Sequence, residues 1–195
     1  MLCFESNLTK REEEARDIMV YLFNPVLKFI LLNSSKGEFE KYGFNSCRQT
    51  AIFGAAYLRK LLPEYDFRVY EGQFLEQECE VLTPYIHAFI IAISPDNRRL
   101  IIDISRTTKR LLFTKIYPNT YPNFGEYENV FKVWEKEINL DEMLNMEDRE
   151  YLTGFRPKDL MSMIETLIED IKVLPKEKQL QFCDIIYSNT TQLRR

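Results

Sequence analysis

The residues best suited to chemistry in this chain are Cys47, His87 and Asp103. The 195 residues include a single histidine, so any imidazole base is His87. It stands inside the apolar run Tyr85 to Ile93 (YIHAFIIAI). Asp103 interrupts a second apolar run, LIIDIS. An ionised carboxylate there calls for a partner, because an unpaired buried charge is expensive. Cys47 offers a nucleophile. It follows Ser46 in Ser-Cys-Arg-Gln, a capping-box pattern that puts the sulfur in the first turn of a helix. In that position the helix dipole and free N–H groups favour thiolate, a nearby imidazolium favours it further, and the same N–H groups can hold an oxyanion. A thiol, a base that takes its proton and an acid that orients the base attack acyl and amide carbon. The plainer readings are a His–Asp pair that only stabilises a sheet and a small apolar Cys in the core.

Whether the imidazole and the carboxylate meet depends on one turn. Pro95-Asp96-Asn97 fits a three-residue hairpin loop, with Pro at the first turn position and Asn where a left-handed residue is needed. That loop pairs Ser94 with Arg98. Carried along the ladder, it sets Phe89 opposite Asp103 and His87 opposite Ser105. His87 and Asp103 then share a face as diagonal neighbours within side-chain reach. A loop longer or shorter by one residue puts them on opposite faces.

The elements that must position these groups have their own signals. Thr9-Lys-Arg-Glu12 is a capping box opening a first helix. Asn24-Pro25 reads as an N-cap followed by Pro at the first helical position, so residues 9–34 form two helices or one helix kinked at Pro25. Ser34 to Phe44 reads as a polar loop. The helix that begins at Cys47 runs to about Leu62 and stops at Pro63, with Cys47, Ala51, Ala55, Leu58 and Leu62 on one face. Phe67 to Leu75, Tyr85 to Ile93 and Arg99 to Ser105 read as strands. The second is apolar at nearly every position, as in a central strand covered on both faces. Thr107 to Gly125 is irregular, and Glu126 to Lys136 fits strand or helix. Residues 139–151, 157–173 and 175–188 read as helices, with Leu160, Ile164, Leu167 and Ile171 as a buried stripe. The expected class is α+β in a single domain: N-terminal helices over 1–42, a core over 43–105 and a mostly helical extension over 106–195.

Composition narrows the function. With a net charge of −4 and a pI near 5.3, nothing calls for nucleic acid, which would favour a basic face. Six glycines and no glycine-rich loop argue against a phosphate-binding loop. Cys3, Cys47, Cys79 and Cys183 form no C-x-x-C pair, so no metal site is implied, and they are too dispersed for a disulfide framework. A reducing, cytoplasmic setting follows. Cys79 sits among Glu76, Glu78 and Glu80, a setting that disfavours thiolate and makes it the weaker nucleophile. Met1 to Asp17 is polar and reads as no signal peptide. Ile18 to Leu32 is apolar but spans fifteen residues and contains Asn24, Pro25 and Lys28, short of the roughly 20 apolar residues a spanning helix needs. No membrane, nucleic-acid or cofactor partner is expected, and the oligomeric state stays open.

Four stretches carry a resemblance: GFNSCRQTAIFGAAYLRKLL (43–62), FRVYEGQF (67–74), HAFIIAI (87–93) and LIIDIS (100–105). A Cys at a helix start, then His and Asp on successive antiparallel strands, resembles the transglutaminase-like superfamily of papain-like cysteine enzymes. That group includes transglutaminases, peptide N-glycanases, arylamine N-acetyltransferases and bacterial cysteine proteases. The likeness covers residues 43–105, about a third of the chain, and HAF stands where the family often has His-Ala-Trp. It implies a papain-like core with Cys47 as nucleophile, His87 as base and Asp103 as orienter. It also implies a thioester resolved by water (peptidase, amidase, deamidase) or by an amine (transglutaminase, acyltransferase), and a peptide, protein or small amide or acyl substrate. The chain departs from the family in three places. Ile104-Ser105 follows the Asp instead of Pro-Thr, no Arg-Gly-Gly precedes the Cys, and Lys41 stands six residues upstream of Cys47 where papain-type enzymes have Gln. The second oxyanion donor then falls to Tyr42 or Asn45. The rival reading is a catalytically inactive papain-like-fold protein that binds or scaffolds.

Overall fold

The computed structural model describes residues 8–34, 46–78, 81–104, 113–114, 130–147 and 155–192. Helix α1 (Lys10–Ile18) opens on the predicted box: the Thr9 hydroxyl accepts from the Glu12 N–H, and the Glu12 carboxylate accepts from the Thr9 N–H at 2.6 Å. The chain does not break at Asn24. A π turn (Met19–Phe23) carries it into α2 (Asn24–Ser34), and Asn24 itself is helical at φ −65°, ψ −43°. The expected N-cap at Asn24 is therefore corrected. Pro25 lacks an N–H and its ring crowds the carbonyl one turn back. The wider π turn just before it absorbs that conflict without ending the helix. The Asn24 side chain instead donates to the Tyr187 hydroxyl at 2.9 Å.

Helix α3 (Cys47–Leu61) starts at the predicted residue and ends with Leu62 as its C-cap, just before Pro63. Strands β1 (Asp66–Glu78), β2 (Val81–Ile93) and β3 (Arg99–Ile102) follow as an antiparallel meander. The short β4 (Phe113–Thr114) pairs with β3, and β5 (Val130–Ile138) pairs with β1, giving the order β4-β3-β2-β1-β5. Of the stretch Glu126 to Lys136, ambiguous in sequence and within the region read as mostly helical, the described part from Val130 onward is thus the strand beyond β1. Helices α4 (Leu140–Asn145), α5 (Pro157–Lys172) and α6 (Lys176–Gln192) come last. The class is α+β, and no described helix is long and apolar enough to cross a membrane.

The core lies between the sheet and α3. Along β2, alternation sends Ala88, Ile90 and Ala92 into it; Phe67 and Val69 of β1 join them, with Leu100, Ile102 and Ile104 from β3 and just beyond. Gly54 lets α3 sit close to β2: a Cβ there would lie 3.2 Å from Ile90 Cδ1 and 3.4 Å from Met19 Cε. The other side of β2 carries a smaller cluster of Phe89 and Ile91 with Tyr70, Ile93 and Ile101, so this strand is covered on both sides. Helix α2 packs against α5, α6 and α3, and the π turn before it also touches α5 and α6. In α5 the buried stripe is Leu160, Ile164, Ile168 and Ile171, with Leu167 only partly buried.

Candidate active site

The β2–β3 turn has the expected form. Ser94 N–H donates to Arg98 O and Asn97 N–H to Ser94 O, each at 2.9 Å, and Asn97 is left-handed at φ 62°. The ladder pairs Ile93 with Arg99 and ends at Ile90 with Ile102. One more step in this register brings Asp103 opposite Phe89 and onto the side that His87 occupies. The two meet: His87 Nε2 and Asp103 Oδ2 are 2.6 Å apart. The Phe89 ring stacks beside the imidazole at 6.3 Å between centroids.

The Cys47 sulfur also hydrogen-bonds to the ring. Alternation places His87 away from the α3 side, whereas Cys47 belongs to the α3 core. The two nevertheless meet, at a point on β2 where the described β2–β3 ladder has already ended at Ile90 and Ile102. Cys47 and His87 are 7% and 9% exposed, and Asp103 is half-buried. Burial pulls the imidazole toward its neutral form. Hydrogen bonds to Asp103 and Cys47 and the Coulombic attraction of the site outweigh burial and push its pKa up to about 9.

The N-terminal end of α3 is held differently from the sequence expectation. Ser46 occupies the cap position, but with φ −91° and ψ 18° its side chain makes no cap bond; its hydroxyl is buried without a partner. The backbone there is not the extended conformation from which a Ser oxygen reaches the N–H groups ahead. An ion pair fixes the tip instead. Arg48 Nε donates to Glu71 Oε1 at 2.7 Å, Lys136 Nζ lies 3.7 Å from Glu71 Oε2, and Glu71 is buried. Glu71 is the β1 partner of Ala88, next to His87. This clamp between the Cys-bearing helix and the His-bearing region was not read from sequence. Its only sequence signal is a lone acid, Glu71, in the strand stretch FRVYEGQF.

Cys47, His87 and Asp103 are thus brought together. Tyr42 and Asn45, the candidate oxyanion donors, lie outside the described residues, as do Cys3 and Cys79. Cys183 is buried on α6, remote in sequence from these groups. Among the described residues no three His, Cys, Asp or Glu side chains gather as metal ligands do. Comparison with family models, curated proteins and solved structures found no match to the chain.

Proposed function

We propose that the chain is a thiol-dependent enzyme of acyl or amide chemistry, built on a papain-like core of transglutaminase-like type. The supporting observation is one imidazole bonded at Nε2 to Asp103, 2.6 Å away, and hydrogen-bonded to the sulfur of the first residue of a helix. With Nε2 held by the carboxylate, Nδ1 is the nitrogen left to take the thiol proton. The sulfur then attacks a carbonyl carbon; the C–S bond forms as the carbonyl electron pair moves to oxygen, near the amides of the first turn of α3. Collapse of that adduct expels the amine, which leaves with the proton from Nδ1, and a thioester remains. Water or a second amine attacks the thioester, His87 takes its proton, and the sulfur departs. Asp103 keeps the other ring proton on Nε2 and steadies the imidazolium throughout. Water as acceptor makes a peptidase, amidase or deamidase; an amine makes a transglutaminase or acyltransferase.

Iodoacetamide labelling of the native chain near neutral pH tests this. Cys47 is expected to alkylate much faster than Cys3, Cys79 and Cys183. His87→Ala removes that advantage, and Asp103→Asn reduces it less. Equal Cys47 rates in wild type and His87→Ala would sink the proposal. A second reading, a non-catalytic binding or scaffolding protein, is favoured by the packing of Cys47 into the core with 7% exposure. It predicts a Cys47 that stays unlabelled until the chain unfolds.

A further inference from the structure

Ile86 precedes the candidate base and breaks the burial pattern of its strand. β2 is an inner strand, and on the α3 side Ala88, Ile90 and Ala92 are buried. Alternation puts Ile86 on that same side, yet it is 51% exposed. Its β1 partner is Gln73, and the β5 partner of Gln73 is Trp134. Trp134, the single tryptophan of the chain, is 39% exposed and donates from Nε1 to Gln73 Oε1 at 3.1 Å. Ile86, Gln73 and Trp134 therefore form one row across three strands.

This row lies next to the one that holds the first turn of α3, the turn that begins with Cys47. The Arg48–Glu71 bond fixes the first turn of α3 over the Glu71–Ala88 row. Gln73–Ile86 is the next row on the same side, about 7 Å further along the strands. Two large apolar side chains thus lie open one row beyond the tip of the helix that begins with Cys47, next to the charged group of Arg48, Glu71 and Lys136.

We infer that this row is a shelf for the acyl part of the Cys47 substrate, and that the substrate carries a large apolar side chain, aromatic or branched aliphatic. Ile86 and the indole supply the apolar floor. Gln73, its oxygen taken by the indole N–H, offers its amide N–H groups to a substrate carbonyl. The inference rests on the thiol-enzyme reading and names the substrate class of that site: amides or esters whose acyl side is bulky and apolar, not small or charged.

Two reagents with one leaving group separate the claims. In both iodoacetamide and N-benzyliodoacetamide the sulfur displaces iodide, and the second adds only an aromatic ring. Relative to the urea-unfolded chain, native Cys47 is expected to prefer the benzyl reagent about tenfold, as burial of a ring predicts. Benzyl labelling also shifts Trp134 emission more than acetamide labelling does. Ile86→Asn and Trp134→Ser, both at exposed positions, each lower the benzyl rate several-fold more than the iodoacetamide rate. No native preference, or a preference untouched in both variants, overturns the shelf even when Cys47 reacts fast and depends on His87. A Cys47 that is slow with both reagents and indifferent to His87→Ala overturns the thiol-enzyme reading, and the shelf with it.

Discussion

His87 is where protonation and folding are coupled. Its folded pKa of about 9 lies above the ordinary 6.5, so the folded chain holds the proton more tightly than the unfolded one. A group raised in this way stabilises fully below its unfolded value, and the contribution is lost as pH rises through the folded value. For His87 the window is pH 6.5 to about 9, and the contribution at its lower end is on the order of 2–3 kcal/mol. Urea unfolding of wild type and His87→Gln is expected to show the widest gap at pH 6 and a much smaller one at pH 10. A gap independent of pH would mean that folding leaves the ring's pKa at its unfolded value, and a gap that closes toward pH 6 would mean that the ring is neutral when folded. The three candidate residues that the fold brings together were legible because each is chemically out of place: a histidine and an aspartate in apolar runs, and a cysteine at a helix start. Glu71 was not, since an acid on a strand reads as surface until Arg48 is found against it.

At the scale of elements, the β2–β3 turn decides which side chains share a face. Asn97 tolerates φ 62°; a β-branched residue there costs about 1–2 kcal/mol. Asn97→Val is expected to lower the urea midpoint accordingly, and Asn97→Gly to leave it nearly unchanged. The turn was readable because Pro and Asn are placed by backbone geometry, independent of tertiary packing. The clamp at the tip of α3 gives a second expectation. Glu71→Gln leaves Arg48 without its carboxylate, destabilises the fold by about 2 kcal/mol and slows Cys47 alkylation by roughly tenfold, since small misplacements of a reacting group are costly. Unchanged labelling in a folded Glu71→Gln chain would leave the clamp a purely structural pair. β5 was ambiguous for a physical reason: the β1–β5 pairing shifts between Gln73 and Phe74, inserting an extra residue that spoils the two-residue period of VFKVWEKEI. Asn24-Pro25 misled because a π turn, which has no simple sequence mark, keeps the helix going.

Across the whole molecule, Glu12 ties the first helix to the distant β2–β3 turn. It is fully buried, accepts from Tyr65 Oη at 2.7 Å and from Arg98 Nη2 at 2.9 Å, and also closes the Thr9 cap. Burial raises its pKa, but the Thr9 N–H, the Tyr65 hydroxyl and the Arg98 guanidinium together bring it below the ordinary 4.5. Burial and the Glu12 carboxylate push the Tyr65 hydroxyl up to about 12, so it remains a donor. A depressed carboxyl stabilises above its unfolded pKa, and the contribution is lost as pH falls through the folded one. Glu12→Gln is therefore expected to be less stable than wild type at pH 7, on the order of 2 kcal/mol, with the gap closing as acid is added below pH 4.5. Acid titration followed by circular dichroism checks this, and a gap that widens in acid would contradict it. The cap was visible in Thr9-Lys-Arg-Glu12, but the meeting with Arg98, 86 positions later, is a tertiary event that no local pattern announces.

The sheet order carries a consequence for biogenesis. β1, β2 and β3 are neighbours in sequence and can zip together as they leave the ribosome, whereas β5 is synthesised well afterwards. Until it arrives, β1 presents a row of unmatched amides and carbonyls, the kind of template that recruits a strand from another nascent copy. The last of the described strands to be made is thus a seal on the sheet, and Trp134 reaches its place beside Gln73 only when that seal closes.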